Sequence, residues 1–254
     1  MMARLRAPKS RPAIIFGAVS LLILLLPLRD FIDALALPNL NGYGGVDYRL
    51  YMDAATRWLQ GGSYFEPYQL AGPYQISAGD ILYPPFALVL FVPFTFLPAV
   101  LWWLLPAVAV LFSLARLRPR PIVWPFLALC LAWPPALVKI VTGNPVMWAV
   151  AALSLGVIYA WPSVLVLIKP SLFPFAFFGA NRRPWWLALG ALALVSLPFG
   201  LLWLDWFHSI LNSQGGGIAY SIQEVPMLAF PVIAWAGRSG AGRGRATQAI
   251  DSAE

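Results

Sequence analysis

A polar, aromatic segment at 41–85 holds many of the side chains that could do chemistry. Four of the ten acidic residues of the chain lie within it: Asp47, Asp53, Glu66 and Asp80. Asp47 follows a Gly-Gly pair and opens a stretch, 47–60, with helical spacing of its apolar residues. An ionised carboxylate at a membrane interface can accept a proton from a substrate hydroxyl, so Asp47 is a candidate general base. The same carboxylate could instead cap the helix by accepting backbone N–H groups, and both interpretations stay open.

Basic side chains near this segment and farther along the chain are candidates for binding phosphate. Guanidinium groups match phosphate oxygens, which makes Arg49 and Arg57 candidate phosphate ligands. Their alternative partners are anionic lipid headgroups or Asp53, which is four residues from each. Lys169 lies in an apolar run, where an ammonium group usually faces a cavity or a partner, or else reaches the interface along its aliphatic stem. Lys139 has the same two interpretations, and the adjacent turn favours the interface for it.

The only histidine, His208, lies in a second polar segment at 205–224. It is a candidate substrate contact or an ordinary interfacial residue, and one histidine cannot form the histidine clusters that bind metals. The sequence contains no Walker A motif, no GxGxxG and no Gly-x-Ser-x-Gly, so we expect no metal and no nucleotide cofactor. Tyr and Trp residues of the loops can stack on sugar rings or form a belt at the headgroup level.

The composition places this chemistry in a membrane protein. The chain is 60% hydrophobic and 11% charged, whereas a soluble domain carries roughly 25% charged residues. The net charge of +7 comes without basic runs interleaved with aromatics, so we expect membrane lipids and not nucleic acid as partners. Cys130 is the single cysteine, which excludes an intrachain disulfide.

Apolar segments predict an all-α polytopic protein with about eight transmembrane helices in a single domain at 1–237. The first span runs from Ala13 to about Leu37 behind a basic flank, which favours a retained helix over a cleaved signal peptide and predicts a cytoplasmic N-terminus. The block 84–115 predicts a hairpin that turns near Leu97-Pro98, with one kinked helix as the alternative. The other predicted spans are 121–141, 146–160, 163–178, 185–204 and 225–237.

The regions between these spans complete the predicted topology. The loops 38–83 and 205–224 lie outside, and the helix from Asp47 lies on the membrane surface until Gly61-Gly62 ends it. The tail 238–254 is rich in Gly, Arg and Ala, which predicts a disordered cytoplasmic segment. This arrangement places Arg182-Arg183 inside, but it leaves three other arginines outside against the positive-inside tendency: Arg116, Arg118 and Arg120.

Four sequence segments together resemble a known family. They are GGVDYRLYMDAATRWLQGGSYFEPY, LYPPFALVLFVPFTFLP, PPALVKIVTGNPVMWAVAAL and VLVLIKPSLFPFAFFGANRRPWW. Their order, an Asp loop, Tyr-Pro-Pro, a Gly-Asn turn, a Lys-Pro span and an Arg-Arg turn, is similar to the membrane glycosyltransferases of the GT-C superfamily. Within that superfamily the chain looks most like family 87, the polyprenol-phosphate-mannose-dependent mannosyltransferases. The resemblance covers about residues 13–190.

The resemblance implies a GT-C-like bundle whose active site lies on the first outer loop and the outer ends of the helices. It implies a polyprenyl-phosphate sugar as donor, inverting transfer to a lipid, glycan or protein acceptor, and a bacterial plasma membrane. Asp47 matches the family's loop aspartate, the general base, and Lys169 matches its Lys-Pro position. Further candidates for donor-phosphate or substrate binding are Arg49, Tyr83, Arg57 and His208.

The chain departs from the family in two respects. Family members are usually much longer than these 254 residues, and their turn often carries Gly-Gln where this chain has Gly143-Asn144. An alternative expectation follows: a non-catalytic membrane subunit, or half of a split enzyme whose protein partner completes the fold.

Overall fold

A computed structural model describes residues 11–28, 44–77, 79–215 and 218–240, without the side chains of 218–220. This part of the chain is mostly helical, which confirms the all-α class. Its α-helices are α1 Arg11–Leu25, α2 Val46–Leu59, α3 Pro67–Ala71, α4 Leu88–Phe94, α5 Val100–Leu117, α6 Trp124–Ala132, α7 Pro134–Thr142, α8 Val146–Tyr159, α9 Phe173–Ala176, α10 Arg183–Ser196, α11 Leu202–Asn212 and α12 Val225–Ala236. Two short strands, β1 Tyr74–Gln75 and β2 Ser213–Gln214, pair in parallel.

Short 3₁₀ segments connect several of these helices. They are Pro85–Ala87, Pro121–Val123, Trp161–Ile168, Pro170–Leu172, Leu197–Phe199 and Ile218–Glu224. Residues 29–37 of the predicted first span and the predicted tail beyond 240 lie outside the described residues.

Helix length limits what the described residues establish about membrane crossing. Among them, α5 alone is long and apolar enough to cross a membrane by itself. Two bent pairs reach that length together: Pro121–Ala132 with α7, at 60°, and Arg183–Phe199 with α11, at 96°. By length and composition the described helices therefore supply one to three spans, and the count of about eight stays a prediction.

The predicted surface helix is present as α2. Gly45 precedes it in the left-handed region, at φ 68°, where a residue without Cβ is favoured. Tyr51 and Ala55 lie on its buried face, while Asp53 is exposed. Tyr51 stacks on Phe91 with ring centroids 5.0 Å apart, so α2 packs directly against α4.

The predicted hairpin over 84–115 has its break in the expected place, between Phe94 and Val100. Its first arm is different, because α4 has only seven residues and lies along α2. The Tyr48 hydroxyl donates to the Phe94 carbonyl over 3.2 Å, which fixes the end of α4 beside the start of α2.

The predicted span at 163–178 is wrong, since its two ends meet. The Ser163 hydroxyl donates to the Phe178 carbonyl, and a Cβ built on Gly179 would lie 2.5 Å from that of Ala160. The chain leaves the end of α8, reaches its tip near Lys169 and returns, and we call 161–179 the return hairpin. Three prolines (Pro162, Pro170, Pro174) explain this shape, because proline has no N–H for an α-helical hydrogen bond.

The predicted span 185–204 also ends early. Helix α10 and the 3₁₀ segment after it end at Phe199, and the 96° bend then directs α11 into the region predicted as an outer loop. Helix α11 packs on the first polar segment: Asn212 donates to the Gln69 carbonyl over 3.0 Å, and Trp206 donates to the Leu82 carbonyl over 3.1 Å. The two predicted outer loops therefore form one packed layer.

The opposite end of the bundle collects arginines. Ser239 N–H donates to the Arg118 carbonyl over 3.2 Å, Arg120 N–H donates to the Gly237 carbonyl over 2.9 Å, and Phe178 contacts Trp235 at 5.8 Å between centroids. These contacts join the last turns of α5 and α12 to the base of the return hairpin. The prediction that placed the arginines at 116–120 on the opposite side from Arg238 is therefore wrong, because the backbone at Arg118 and Arg120 is hydrogen-bonded to the segment 237–239.

Candidate functional site

Asp47 lies in the first turn of α2, half-buried against the turn between α7 and α8. Its Oδ2 accepts hydrogen bonds from Thr142 Oγ1 over 2.8 Å and from Asn144 Nδ2 over 2.7 Å. The residue that caps α2 is Gly45, and the helix has no side-chain cap bond. The interpretation of Asp47 as a helix cap is therefore wrong, because its carboxylate is fixed by side chains about a hundred residues away.

The turn that holds Asp47 is shaped by Gly143. This glycine has φ 74°, and a Cβ there would lie 2.7 Å from the Trp103 ring and 2.9 Å from Tyr48 Cβ. Two indole N–H groups fasten the turn: Trp102 donates to the Gly143 carbonyl and Trp103 to the Ile140 carbonyl, both over 2.7 Å. The Asp47 partners are thus held on a rigid turn.

Tyr83 joins the same constellation from the Tyr-Pro-Pro motif. It is buried, and its hydroxyl donates to Asn144 Oδ1 over 3.3 Å. Asn144 therefore links Asp47 to Tyr83, and its Oδ1 also accepts the Val146 N–H over 3.1 Å at the start of α8.

Lys169, at the tip of the return hairpin, is buried in an ion pair with Glu224. Its Nζ lies 2.5 Å from Glu224 Oε1 and 5.8 Å from the centre of the Tyr83 ring. Lys139 Nζ approaches the same oxygen at 3.6 Å. The expectation that Lys169 faces a partner is confirmed, and the alternative of reaching the interface is wrong. Beside the pair, Ser171 and Ser221 share a hydrogen bond of 2.5 Å.

The remaining predicted site residues lie apart from these contacts. Arg49 is exposed, and its guanidinium donates to the Gly44 carbonyl over 2.8 Å. Arg57 pairs with Glu66 at 2.8 Å and donates to two carbonyls of the following turn, so it pairs with Glu66 instead of Asp53. His208 is exposed on α11. The structure thus brings together Asp47, Tyr83 and Lys169 but not Arg57 or His208.

Two other carboxylates of the first polar segment, those of Glu66 and Asp80, stabilise its fold. Glu66 forms a capping box at the start of α3. Asp80 accepts a hydrogen bond from the Tyr68 hydroxyl over 2.5 Å, and this bond, together with burial and the negative charges nearby, raises the pKa of Tyr68 to about 12. Asp53 is exposed. Asp47 is therefore the acidic residue of this segment that is hydrogen-bonded to Thr142 and Asn144.

Sequence reasoning missed three members of the site: Thr142, Asn144 and Glu224. The Thr-Gly-Asn-Pro run predicts a turn, and the polar residue on each side of its glycine is the signal that could have identified Thr142 and Asn144. Glu224 is the last residue of the predicted loop 205–224. An isolated acidic residue directly before an apolar helix is an available partner for a buried lysine, and this position is the sequence signal that could have identified Glu224.

The described residues contain no group of three or more His, Cys, Asp or Glu placed to hold a metal ion. Comparison with family models, curated proteins and solved structures finds no match to this chain. A function for this chain is therefore inferred from the geometry of the site and from the resemblance of its motifs.

Proposed function

We propose that this chain is an integral-membrane glycosyltransferase. It moves a sugar, mannose by the resemblance, from a polyprenyl-phosphate donor to a lipid, glycan or protein acceptor on the extracytoplasmic face. The transfer inverts the anomeric centre, and Asp47 is the general base.

One observation carries the proposal: the motifs that suggested the function meet in space. Asp47 bonds to Asn144 at 2.7 Å, Tyr83 bonds to Asn144 at 3.3 Å, and Lys169 lies over the Tyr83 ring at 5.8 Å. These residues come from the Asp loop, the Gly-Asn turn, the Tyr-Pro-Pro motif and the Lys-Pro segment. Local folding does not require such a meeting, whereas a shared site does.

The geometry of Asp47 suits a base. Oδ2 holds two hydrogen bonds from neutral donors, while Oδ1 has no hydrogen bond from any residue that the structure describes. Oδ1 would take the proton of the acceptor hydroxyl as its oxygen attacks the anomeric carbon. The bond from that carbon to the phosphate oxygen breaks, and polyprenyl phosphate leaves with the bonding electron pair. A nearby cation stabilises the charge that develops on the phosphate.

The same proposal places the chain in the bilayer. Crossing segments are α1, α5, α6 with α7, α8, α10 and α12, which makes six where the sequence predicted about eight. Apolar side chains of α5 that face outward support this placement: Val100, Leu104, Val108 and Leu111. The Asp47 site then lies at the extracytoplasmic interface and the arginine end at the cytoplasmic one, with both termini inside.

Replacing Asp47 with Asn tests the proposed reaction. We expect sugar transfer from polyprenyl-phosphate mannose to fall about 100-fold or more, because a general base contributes that much. The amide keeps an oxygen that accepts the bonds from Thr142 and Asn144, so thermal unfolding in detergent should change little. Asp53→Asn is the matched control, since Asp53 is exposed on the same helix.

Transfer that continues unchanged in Asp47→Asn would exclude the mechanism. The second candidate, a non-catalytic subunit or half of a split enzyme, makes a different prediction. It expects no transfer by the purified wild-type chain and stoichiometric co-purification with a membrane partner.

A further inference from the structure

Two lysines approach the same carboxylate oxygen of Glu224, and they differ in distance from it and in exposure. Lys169 Nζ lies 2.5 Å away and 7% of its side chain is exposed, whereas Lys139 Nζ lies 3.6 Å away and 24% of its side chain is exposed. The shorter distance is a charge-assisted hydrogen bond, and the longer one is an electrostatic contact. The two ammonium groups therefore differ in how readily each can leave Glu224.

Lys169 is committed to Glu224. Both side chains are almost wholly buried, and separating such a pair leaves a charge without compensation in a poorly solvated place. A ligand phosphate that bound Lys169 would have to displace the carboxylate of Glu224. The Oε2 atom of Glu224 is already buried without a hydrogen bond among the described residues. Lys169 is thus poorly suited to bind an exchangeable ligand directly.

Lys139 is better placed. It lies three residues before Thr142 on α7, so the two side chains share a helix face, and Thr142 is the hydroxyl bonded to Asp47. Its side chain is partly exposed, and its ammonium group makes no short bond to Glu224. An anion held next to Asp47 could therefore bind Lys139 without disturbing the buried Lys169–Glu224 pair.

We propose that Lys139 binds the phosphate of a lipid-linked phosphate ligand and that Glu224 competes with this phosphate for the lysine. The proposal rests on the proposed function for the position of the phosphate beside Asp47. Glu224 is a positioning residue: it keeps Lys169 buried and holds Lys139 loosely near the site until an anion arrives.

Binding of an isoprenoid monophosphate to the purified full chain in detergent tests this assignment. Lys139→Met should weaken binding about tenfold or more, because a charge-assisted hydrogen bond is lost. Lys139→Arg should retain binding, since it keeps a cation at that position. Glu224→Gln should tighten binding several-fold, because it removes the competing charge while preserving an oxygen for Lys169.

Thermal unfolding of each variant separates binding from folding. Unchanged binding in a folded Lys139→Met variant would overturn the proposal, and so would weaker binding in a folded Glu224→Gln variant. If Glu224→Gln does not fold, the two Lys139 variants decide by themselves. Inorganic phosphate as a second probe should bind far more weakly, and equal binding would exclude a lipid-linked ligand.

Sugar transfer, measured separately, distinguishes this assignment from the proposed reaction. Lys139-dependent binding without any transfer contradicts the glycosyltransferase and supports the phosphate site. Asp47-dependent transfer that is unaffected by Lys139→Met supports the glycosyltransferase and contradicts the phosphate site at Lys139.

Discussion

At the scale of single residues, the Lys169–Glu224 pair shows how a costly group is accommodated. A buried ammonium is expensive, and here it gains a carboxylate at 2.5 Å and the face of Tyr83 at 5.8 Å. The pair also connects the tip of the return hairpin to the residue before α12. Each charge offsets the cost of burying the other, so we expect that removing either charge by itself destabilises the fold.

Replacing Lys169 with Met tests that dependence. We expect the free energy of unfolding to fall by about 3 kcal/mol, because Glu224 loses its close partner. The double variant Lys169→Met with Glu224→Gln should recover part of the loss, since no carboxylate then stays buried without that partner. Denaturant unfolding in detergent measures both, and a double variant no more stable than the single one would refute the dependence.

At the scale of elements, the return hairpin depends on close packing against α8. A Cβ on Gly156 would lie 2.6 Å from Ser163 Cβ and 2.8 Å from its backbone nitrogen. Glycine at this position lets the hairpin begin directly beside the helix it has just left. The Ser163 hydroxyl can then reach the carbonyl of Phe178 and close the hairpin.

Gly156→Ala should therefore separate the hairpin from α8. We expect a loss of about 1–3 kcal/mol in the free energy of unfolding, as for other overpacked sites. The matched control is Gly190→Ala in α10, where a Cβ meets nothing within 4 Å. That change should be neutral or stabilising by roughly 0.5–1 kcal/mol through helix propensity. Equal effects of the two substitutions would contradict this packing.

At the scale of the whole molecule, the two ends of the bundle differ in charge: the site end carries both signs, and the opposite end is basic. The site and its packed loops hold the described carboxylates: Asp47, Asp53, Glu66, Asp80, Asp205 and Glu224. The opposite end holds a group of arginines: Arg116, Arg118, Arg120, Arg182, Arg183 and Arg238. A membrane protein that follows the positive-inside tendency would keep that arginine end in the cytoplasm.

Single cysteines labelled with a membrane-impermeant maleimide in oriented vesicles test this orientation. Asn181→Cys and Gly240→Cys should react from the cytoplasmic side, and Gln60→Cys from the other, because all three positions are exposed at the ends assigned to them. Wild type is the background control, since Cys130 is buried. Labelling of Asn181→Cys and Gln60→Cys from the same side would refute the six-crossing arrangement.

The sequence by itself determined the features that depend on local pattern. Helical spacing bounded by glycines predicted α2, with Asp47 in its first turn. Apolar runs ended by Gly or Pro predicted α8 and α12 almost to the residue. These signals lie within one turn or one helix of the residues that they describe.

Only the tertiary structure decided which residues Asp47 contacts, how Lys169 is neutralised and where the chain reverses. The Asp47 bonds span 95 and 97 residues, and the Lys169–Glu224 bond spans 55. Hydropathy cannot distinguish a segment that crosses from one that turns back, because both bury apolar side chains. The contact between the two ends of the return hairpin makes that distinction, and it exists only once the chain has folded.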